Sequence, residues 1–238
     1  MSKNNIRLFI YVYLYHRIYT MITLTEENYL KAIYHLGKHG SDTVNTNAIA
    51  ESLDTKASSV TDMVKKLADK EYLVYKKYQG VTLTQKGKDI AVNMIRKHRL
   101  WEVFLVEKLN FTWDEVHDVA EDLEHIKSKK LINELDAFLE FPTHDPHGDA
   151  IPDKDGKFNP IEKTALSQAI VGKVYKCIGV EDSSTNFLQY LDSNAIGLGT
   201  AIEILHKEPF DHSVKIKRNT SELVVSQSVA KNLYLKLI

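Results

Sequence analysis

Two short stretches of this chain, His98-Arg99-Leu100-Trp101-Glu102 and His117-Asp118-Val119-Ala120-Glu121-Asp122-Leu123-Glu124-His125, place imidazoles and carboxylates at helical spacing. Each residue of an α-helix advances by about 100°, so His117, Glu121, Glu124 and His125 fall within a sector of about 100° on one helix. His98 and Glu102 share a face of another. For a single such pair, an acidic solvated face is the ordinary account. Here two helices present matched sets, and Leu100, Val103, Phe104, Val119, Ala120 and Leu123 give both of them apolar stripes on which to pack. Imidazole with carboxylate suits divalent first-row ions such as Mn, Fe, Co, Ni and Zn. A hydrolytic zinc helix would read His-Glu-x-x-His, and Glu124-His125-Ile126-Lys127 has no second histidine. The expectation is a binding site, not a catalytic one.

The segment upstream has the grammar of a DNA reader. Thr25 before Glu26 and Glu27 marks a helix start, and Tyr29, Leu30, Ile33, Tyr34 and Leu36 recur with helical period up to Gly37 and Gly40. A short helix from about Thr46 to Leu53, a tight turn at Asp54 to Ala57 and a third helix carrying Val60, Met63, Val64 and Leu67 make a helix-turn-helix. Tyr72 to Tyr75 and Val81 to Leu83 then form a hairpin whose tip holds Lys76 and Lys77 beside Tyr75 and Tyr78. Major-groove contacts would come from Lys56, Ser58, Ser59, Thr61 and Asp62 at the start of the third helix, with Lys76 and Lys77 on phosphates. Charge follows this division. Residues 44–99 carry eleven Lys and Arg against six Asp and Glu, and residues 100–160 carry six against fifteen. A locally basic segment is the electrostatic footprint of a nucleic-acid contact.

A long helix from Thr84 to about Leu109 follows, then helices near 113–126 and 129–140. The Pro-, Gly- and Asp-rich stretch 141–160 reads as a linker. His144 and His147 within it read as exposed loop residues, and Asp153-Lys154-Asp155-Gly156 lacks most of a calcium loop. Beyond it, short alternating runs around Val174, Ile202, Val214 and Val224 indicate a small β-barrel. Cys177 is the sole cysteine, which excludes an internal disulfide and a cysteine-based zinc site and fits the cytoplasm. The apolar run Leu8 to Tyr15 is far shorter than the roughly 20 residues a membrane helix needs. Residues 1–20 read as an extension or an overcalled start, with Met21 opening the first domain.

From about Met21 to Ile238 the chain resembles the diphtheria-toxin-repressor family of metal-dependent transcriptional regulators. The resemblance lies in Glu27-Asn28-Tyr29-Leu30-Lys31-Ala32-Ile33-Tyr34, Ala57-Ser58-Ser59-Val60-Thr61, Tyr75-Lys76-Lys77-Tyr78-Gln79-Gly80, Leu83-Thr84-Gln85-Lys86-Gly87, Arg96-Lys97-His98-Arg99-Leu100 and the stretch 117–125. It implies a mainly α fold with small β parts. A winged helix-turn-helix would occupy residues 21–93, a helical metal-binding and dimerisation domain 94–141, a linker 142–160 and an SH3-like β-barrel 161–238.

By position, Glu121, Glu124 and His125 correspond to primary metal ligands, joined by residue 28. His98, Glu102 and His117 correspond to an ancillary site, with Glu181, Asp182 and Asn186 of the barrel as further candidates. Asn28 stands where the manganese branch has Asp and the iron branch Met, and Lys31 replaces a carboxylate of the manganese branch. Glu121 matches the manganese branch, whose iron counterpart is Cys. A carboxylate in place of a thiolate hardens the site and favours Mn(II), with Fe(II) next. The resemblance further implies a homodimer on a double-stranded DNA operator, with a cation tying the reading head to the dimer core. The competing reading keeps the winged helix and makes the acidic cluster structural.

Overall fold

The computed structural model describes residues 22–159 and 162–238. The aromatic run at the N-terminus and Met21 lie outside the described residues. The chain divides into two compact units, one ending at Met94 and the other running from Ile95 to Ile238.

In the first unit, α1 (Leu24–Leu36) begins two residues earlier than the sequence pattern suggests. Its cap is Thr23, whose hydroxyl accepts from the Glu26 amide while the Glu26 carboxylate accepts from the Thr23 amide at 2.9 Å. This reciprocal box satisfies two amides that a helix start otherwise leaves without partners. The same Glu26 carboxylate is fully buried and takes Lys66 of α3 (Ala57–Asp69) at 3.1 Å and Lys70, the C-cap of that helix, at 2.8 Å. Between them lies α2 (Thr46–Ser52), and Asp54 turns the chain with a positive φ of 45°. Leu30, Ile33, Ile49, Val60, Val64 and Leu67 are buried where these helices meet, each contributing roughly 1.5–3 kcal/mol.

The wing is β1 (Leu73–Lys76) paired antiparallel with β2 (Gly80–Leu83), Leu73 opposite Leu83. Val44 forms an antiparallel bridge to Val81, so the wing is anchored beside α2. Directly after it, α4 (Gln85–Leu109) starts at a point where only glycine fits. A Cβ at Gly87 would stand 2.0 Å from the Tyr72 carbonyl oxygen.

In the second unit, the remainder of α4 packs with α5 (Val116–Leu123) and α6 (Lys129–Phe138). Leu100, Val103, Val116, Ala120, Ile132 and Leu135 form their core. Ile151 belongs to that same core, so the stretch read as a linker is packed structure. The C-terminal part is a six-stranded antiparallel sheet ordered β3-β8-β4-β5-β6-β7, made from β3 (Thr164–Ala165), β4 (Val174–Val180), β5 (Ala201–Lys207), β6 (Val214–Arg218), β7 (Ser221–Val225) and β8 (Leu233–Leu237). It is SH3-like in kind. Two short helices, α7 (Thr185–Ser193) and α8 (Gln227–Asn232), accompany it where the sequence pattern showed only turns. Leu188, Leu191, Ile202, Ile204, Ile216 and Leu235 are among its fully buried residues. Among the described residues no helix is long and apolar enough to cross a membrane.

Candidate metal centre

Glu102 is the pivot of the second unit. Helix α4 carries it into the interior one turn after His98, and its side chain is only 2% exposed. Three imidazoles surround its Oε1: His98 Nε2 at 3.1 Å, His117 Nδ1 at 3.7 Å and His147 Nδ1 at 3.7 Å. Burial opposes ionisation of this carboxyl, but the surrounding imidazoles of His117, His147 and His98 outweigh it and hold the group far below the usual carboxylate range. Two sets of donor atoms lie within 4.8 Å of one another, His98 with Glu102 and His117, and Glu102 with Asp145 and His147. A buried carboxylate ringed by imidazole nitrogens is a donor set that fits a divalent cation.

The sequence separated the expected ligands into two sites, whereas the structure joins members of both. His98 Nδ1 lies 2.7 Å from Glu124 Oε2, while Nε2 of the same ring faces Glu102. Glu124 is buried at the end of α5. Glu121 is exposed and 3.6 Å from His117 Nε2. His125 is half-buried beside them. Asn28 belongs to the other compact unit, on the exposed side of the first turn of α1. Glu181 and Asp182 do not join the converging donor sets found among the described residues. Glu181 accepts from the Tyr234 hydroxyl at 2.5 Å, Asp182 accepts from the Ser184 amide at 2.9 Å, and Asn186 is exposed on α7.

The reading of His147 as an exposed loop residue is corrected by its burial, 6% exposed. Asp145 is 5% exposed and equally unforeseen. Asp145 Oδ1 accepts from the amides of His147 at 2.8 Å and Asp149 at 3.0 Å, an Asx turn that folds the segment back on itself. Its other oxygen meets Arg99 Nε at 3.3 Å. His147 Nε2 lies 2.8 Å from the Trp113 carbonyl oxygen, and the two rings stack nearly parallel at 9°. A carbonyl can only accept, so that bond puts the proton on Nε2. Nδ1 faces the Glu102 carboxylate at 3.7 Å, protonated toward it in the metal-free protein, and is the nitrogen a cation would take once that proton leaves. Burial works against charge on His147, but the Glu102 bond and the Glu102 and Asp145 charges push its pKa up to about 9.

Close backbone approach holds this segment on the sheet. The Val180 amide donates to the His147 carbonyl at 2.9 Å, and Gly148 adopts φ +85° with no room for a Cβ, which would stand 2.0 Å from the Ile178 carbonyl oxygen. The one signal for this in the sequence is Asp145-Pro146-His147-Gly148, a turn with two ligand types two residues apart.

The expected DNA contacts lie on the surface of the first unit. Lys56 is the N-cap position of α3, and Ser58, Ser59 and Asp62 are exposed along its first turns. Thr61 is half-buried and donates back to the Ala57 carbonyl at 3.0 Å, while Asp62 lies 3.9 Å from Lys65. Lys76 and Lys77 are exposed at the wing tip, with Lys77 Nζ 5.0 Å above the Tyr78 ring.

Comparison with known proteins agrees with this division of parts. The family descriptions "Iron dependent repressor, N-terminal DNA binding domain", "Iron dependent repressor, metal binding and dimerisation domain" and "FeoA domain" match residues 21–81, 84–153 and 164–237. An HTH-type transcriptional regulator of Methanocaldococcus jannaschii is 37% identical over 114 residues, which is 48% of this chain and 91% of that protein. The HTH-type transcriptional regulator MntR of Oceanobacillus iheyensis is 39% identical over 115 residues, 48% of this chain and 77% of that one. A solved manganese-dependent transcriptional repressor in complex with manganese superposes with a TM-score of 0.78 at 31% identity, covering 90% of this chain and all of the other. The manganese regulator SloR gives a TM-score of 0.69 at 34% identity, covering 90% of this chain and 98% of the other. The chain belongs to the diphtheria-toxin-repressor family of metal-dependent transcriptional regulators.

Proposed function

We propose that this protein is a repressor whose binding to a double-stranded DNA operator is switched on by a divalent cation held around Glu102, with Mn(II) the first choice and Fe(II) the second. It is a regulator and not an enzyme. The observation that carries the reading is the buried Glu102 carboxylate with His98, His117 and His147 about it. Asp145 and His147 extend the expected ancillary set, and Glu121, Glu124, His125 and Asn28 remain the proposed ligands of the primary set. When bound, the cation supplies positive charge to a cluster whose carboxylates otherwise repel one another.

The chain's own contribution is orientation. Trp113 holds the His147 ring by its Nε2 so that Nδ1 faces Glu102, Arg99 holds Asp145, and α4 runs without a break from the wing to His98 and Glu102. Oxygen and nitrogen donors with no thiolate favour Mn(II) over softer ions. The protein acts as a homodimer, because paired reading heads must meet half-sites about one helical turn apart. Lys56, Ser58, Ser59, Thr61 and Asp62 face the groove, and Lys76 and Lys77 meet phosphates.

Calorimetric titration with Mn(II), and with Fe(II) under anaerobic conditions, tests the site. His147→Ala weakens the ion by about tenfold to a hundredfold, the range seen even for residues that only orient a ligand. His144→Ala, three residues away in the same loop, leaves affinity unchanged. Equal affinity in His147→Ala and the unaltered protein contradicts the assignment. Operator binding with no metal uptake at all supports the competing reading.

A further inference from the structure

A cavity of about 540 Å³ lies beside the helical core of the second unit, and neither the metal centre nor the DNA-reading elements use it. Arg96 of α4 and Asn133 and Asp136 of α6 form part of its lining, together with residues of the segments 141–143 and 151–159. Clefts of some 300–1,000 Å³ with a few placed polar groups are the usual size for small-molecule sites.

The charge around it is unbalanced in one direction. Arg96 is buried, its side chain 6% exposed, and one nitrogen pairs with Asp136 at 2.7 Å. Its Nε is shielded from solvent and has no hydrogen-bond partner. A buried donor left unsatisfied is costly, and more so on a charged group. Lys154 and Lys157 add two exposed ammonium groups at the same cavity. The carboxylates there are already engaged. Asp136 is paired with Arg96, and Asp153 Oδ1 accepts from the amides of Asp155 at 2.8 Å and Lys157 at 2.9 Å. The rest of the lining sets an apolar patch, Phe141 at 67% exposed with Ile151 and Pro152 buried behind it, beside the neutral polar groups of Asn133, Thr143 and Asn159.

We propose that this cavity binds a small organic anion, its carboxylate head held by Lys154 and Lys157 in the field of the Arg96 guanidinium, with an apolar body lying against Phe141 and Pro152. Inorganic phosphate offers the same head chemistry but leaves the apolar wall in water, so a carboxylate with a ring system binds tighter. Three cationic groups against two carboxylates in the lining favour an anion over neutral and cationic molecules of the same shape.

The test uses the full chain, with metal removed and the chelator dialysed away. It is titrated calorimetrically with 2-naphthoate and, separately, with inorganic phosphate. One naphthoate binds per chain, saturably, and more tightly than phosphate. The double variant Lys154→Ala/Lys157→Ala removes only exposed side chains and leaves the thermal midpoint unchanged. It weakens naphthoate by at least about tenfold, the equivalent of one charge-assisted hydrogen bond. Phe141→Ala weakens naphthoate and leaves phosphate unaffected. No saturable naphthoate binding, unchanged affinity in the lysine double variant, or phosphate binding as tightly as naphthoate each overturns the proposal.

Discussion

At the scale of single residues, the metal-free protein holds its charges together with protons. His147 is raised from 6.5 to about 9 against the cost of burial, chiefly by Glu102. Asp145 is raised by burial and by the Glu102 charge. Both groups bind protons more tightly folded than unfolded, so stability falls with rising pH wherever they titrate. The His147 contribution is fully present below about pH 6.5 and is lost as pH passes about 9. The thermal midpoint of metal-free protein, followed by circular dichroism, therefore drops between those limits, and saturating Mn(II) removes most of the drop. A midpoint that rises over the same range contradicts the arrangement. The sequence showed His98, Glu102, His117 and Glu124 because their spacing is a property of single helices. It did not show Asp145 and His147, whose approach to Glu102 depends on an Asx turn and on the carbonyl of Trp113, thirty-four residues away.

At the scale of elements, Glu26 couples the start of α1 to the end of the reading helix α3. Its buried carboxylate closes the capping box and accepts from Lys70 and Lys66 at once. Burial raises its pKa, but the Lys70 bond, the Thr23 amide and Lys66 more than offset this, and the net shift is downward. Glu26→Ala removes a cap and leaves Lys70, only 8% exposed, without its carboxylate. The expected loss is about 3 kcal/mol, read from urea unfolding of the full chain. A loss within about 0.5 kcal/mol, typical of surface changes, shows the pair to be idle. The wing makes a separate prediction. Lys76→Ala/Lys77→Ala lowers DNA affinity across all sequences and reduces the slope of log affinity against log salt by about one per lysine. An unchanged slope removes the wing from the interface. Helix periods made α1, α3 and α4 legible, and the Lys-rich hairpin made the wing legible. The cap fell at Thr23 and not Thr25, where Glu26 serves two elements; α8 is too short to declare a period, and α7, with Leu188 and Leu191 buried on one face, was masked by the Gly, Asn, Ser and Asp around it.

At the scale of the whole molecule, three functions follow one another along the chain: a basic reading head, an acidic helical core and an SH3-like sheet. The charge division that suggested this order is real, but the boundary between core and sheet is less clean than composition implies. Residues 142–151 are built into the helical core through Ile151 and onto the sheet through Gly148. The linker-like look came from the Pro, Gly and Asp that turns and close contacts require, and those same residues bring His147 to Glu102. A cation that favours a DNA-binding arrangement over another shifts the balance only as far as its affinity differs between the two. The most direct test is fluorescence anisotropy on a duplex selected from random sequence with Mn(II), comparing the unaltered protein with Glu102→Gln. The account predicts that Mn(II) tightens binding of the unaltered protein by about tenfold or more over chelator, a coupling within the range of about 1–3 kcal/mol usual between sites, and leaves the variant unmoved. Equal DNA affinity with Mn(II) and with chelator, or a full Mn(II) response in Glu102→Gln, contradicts it.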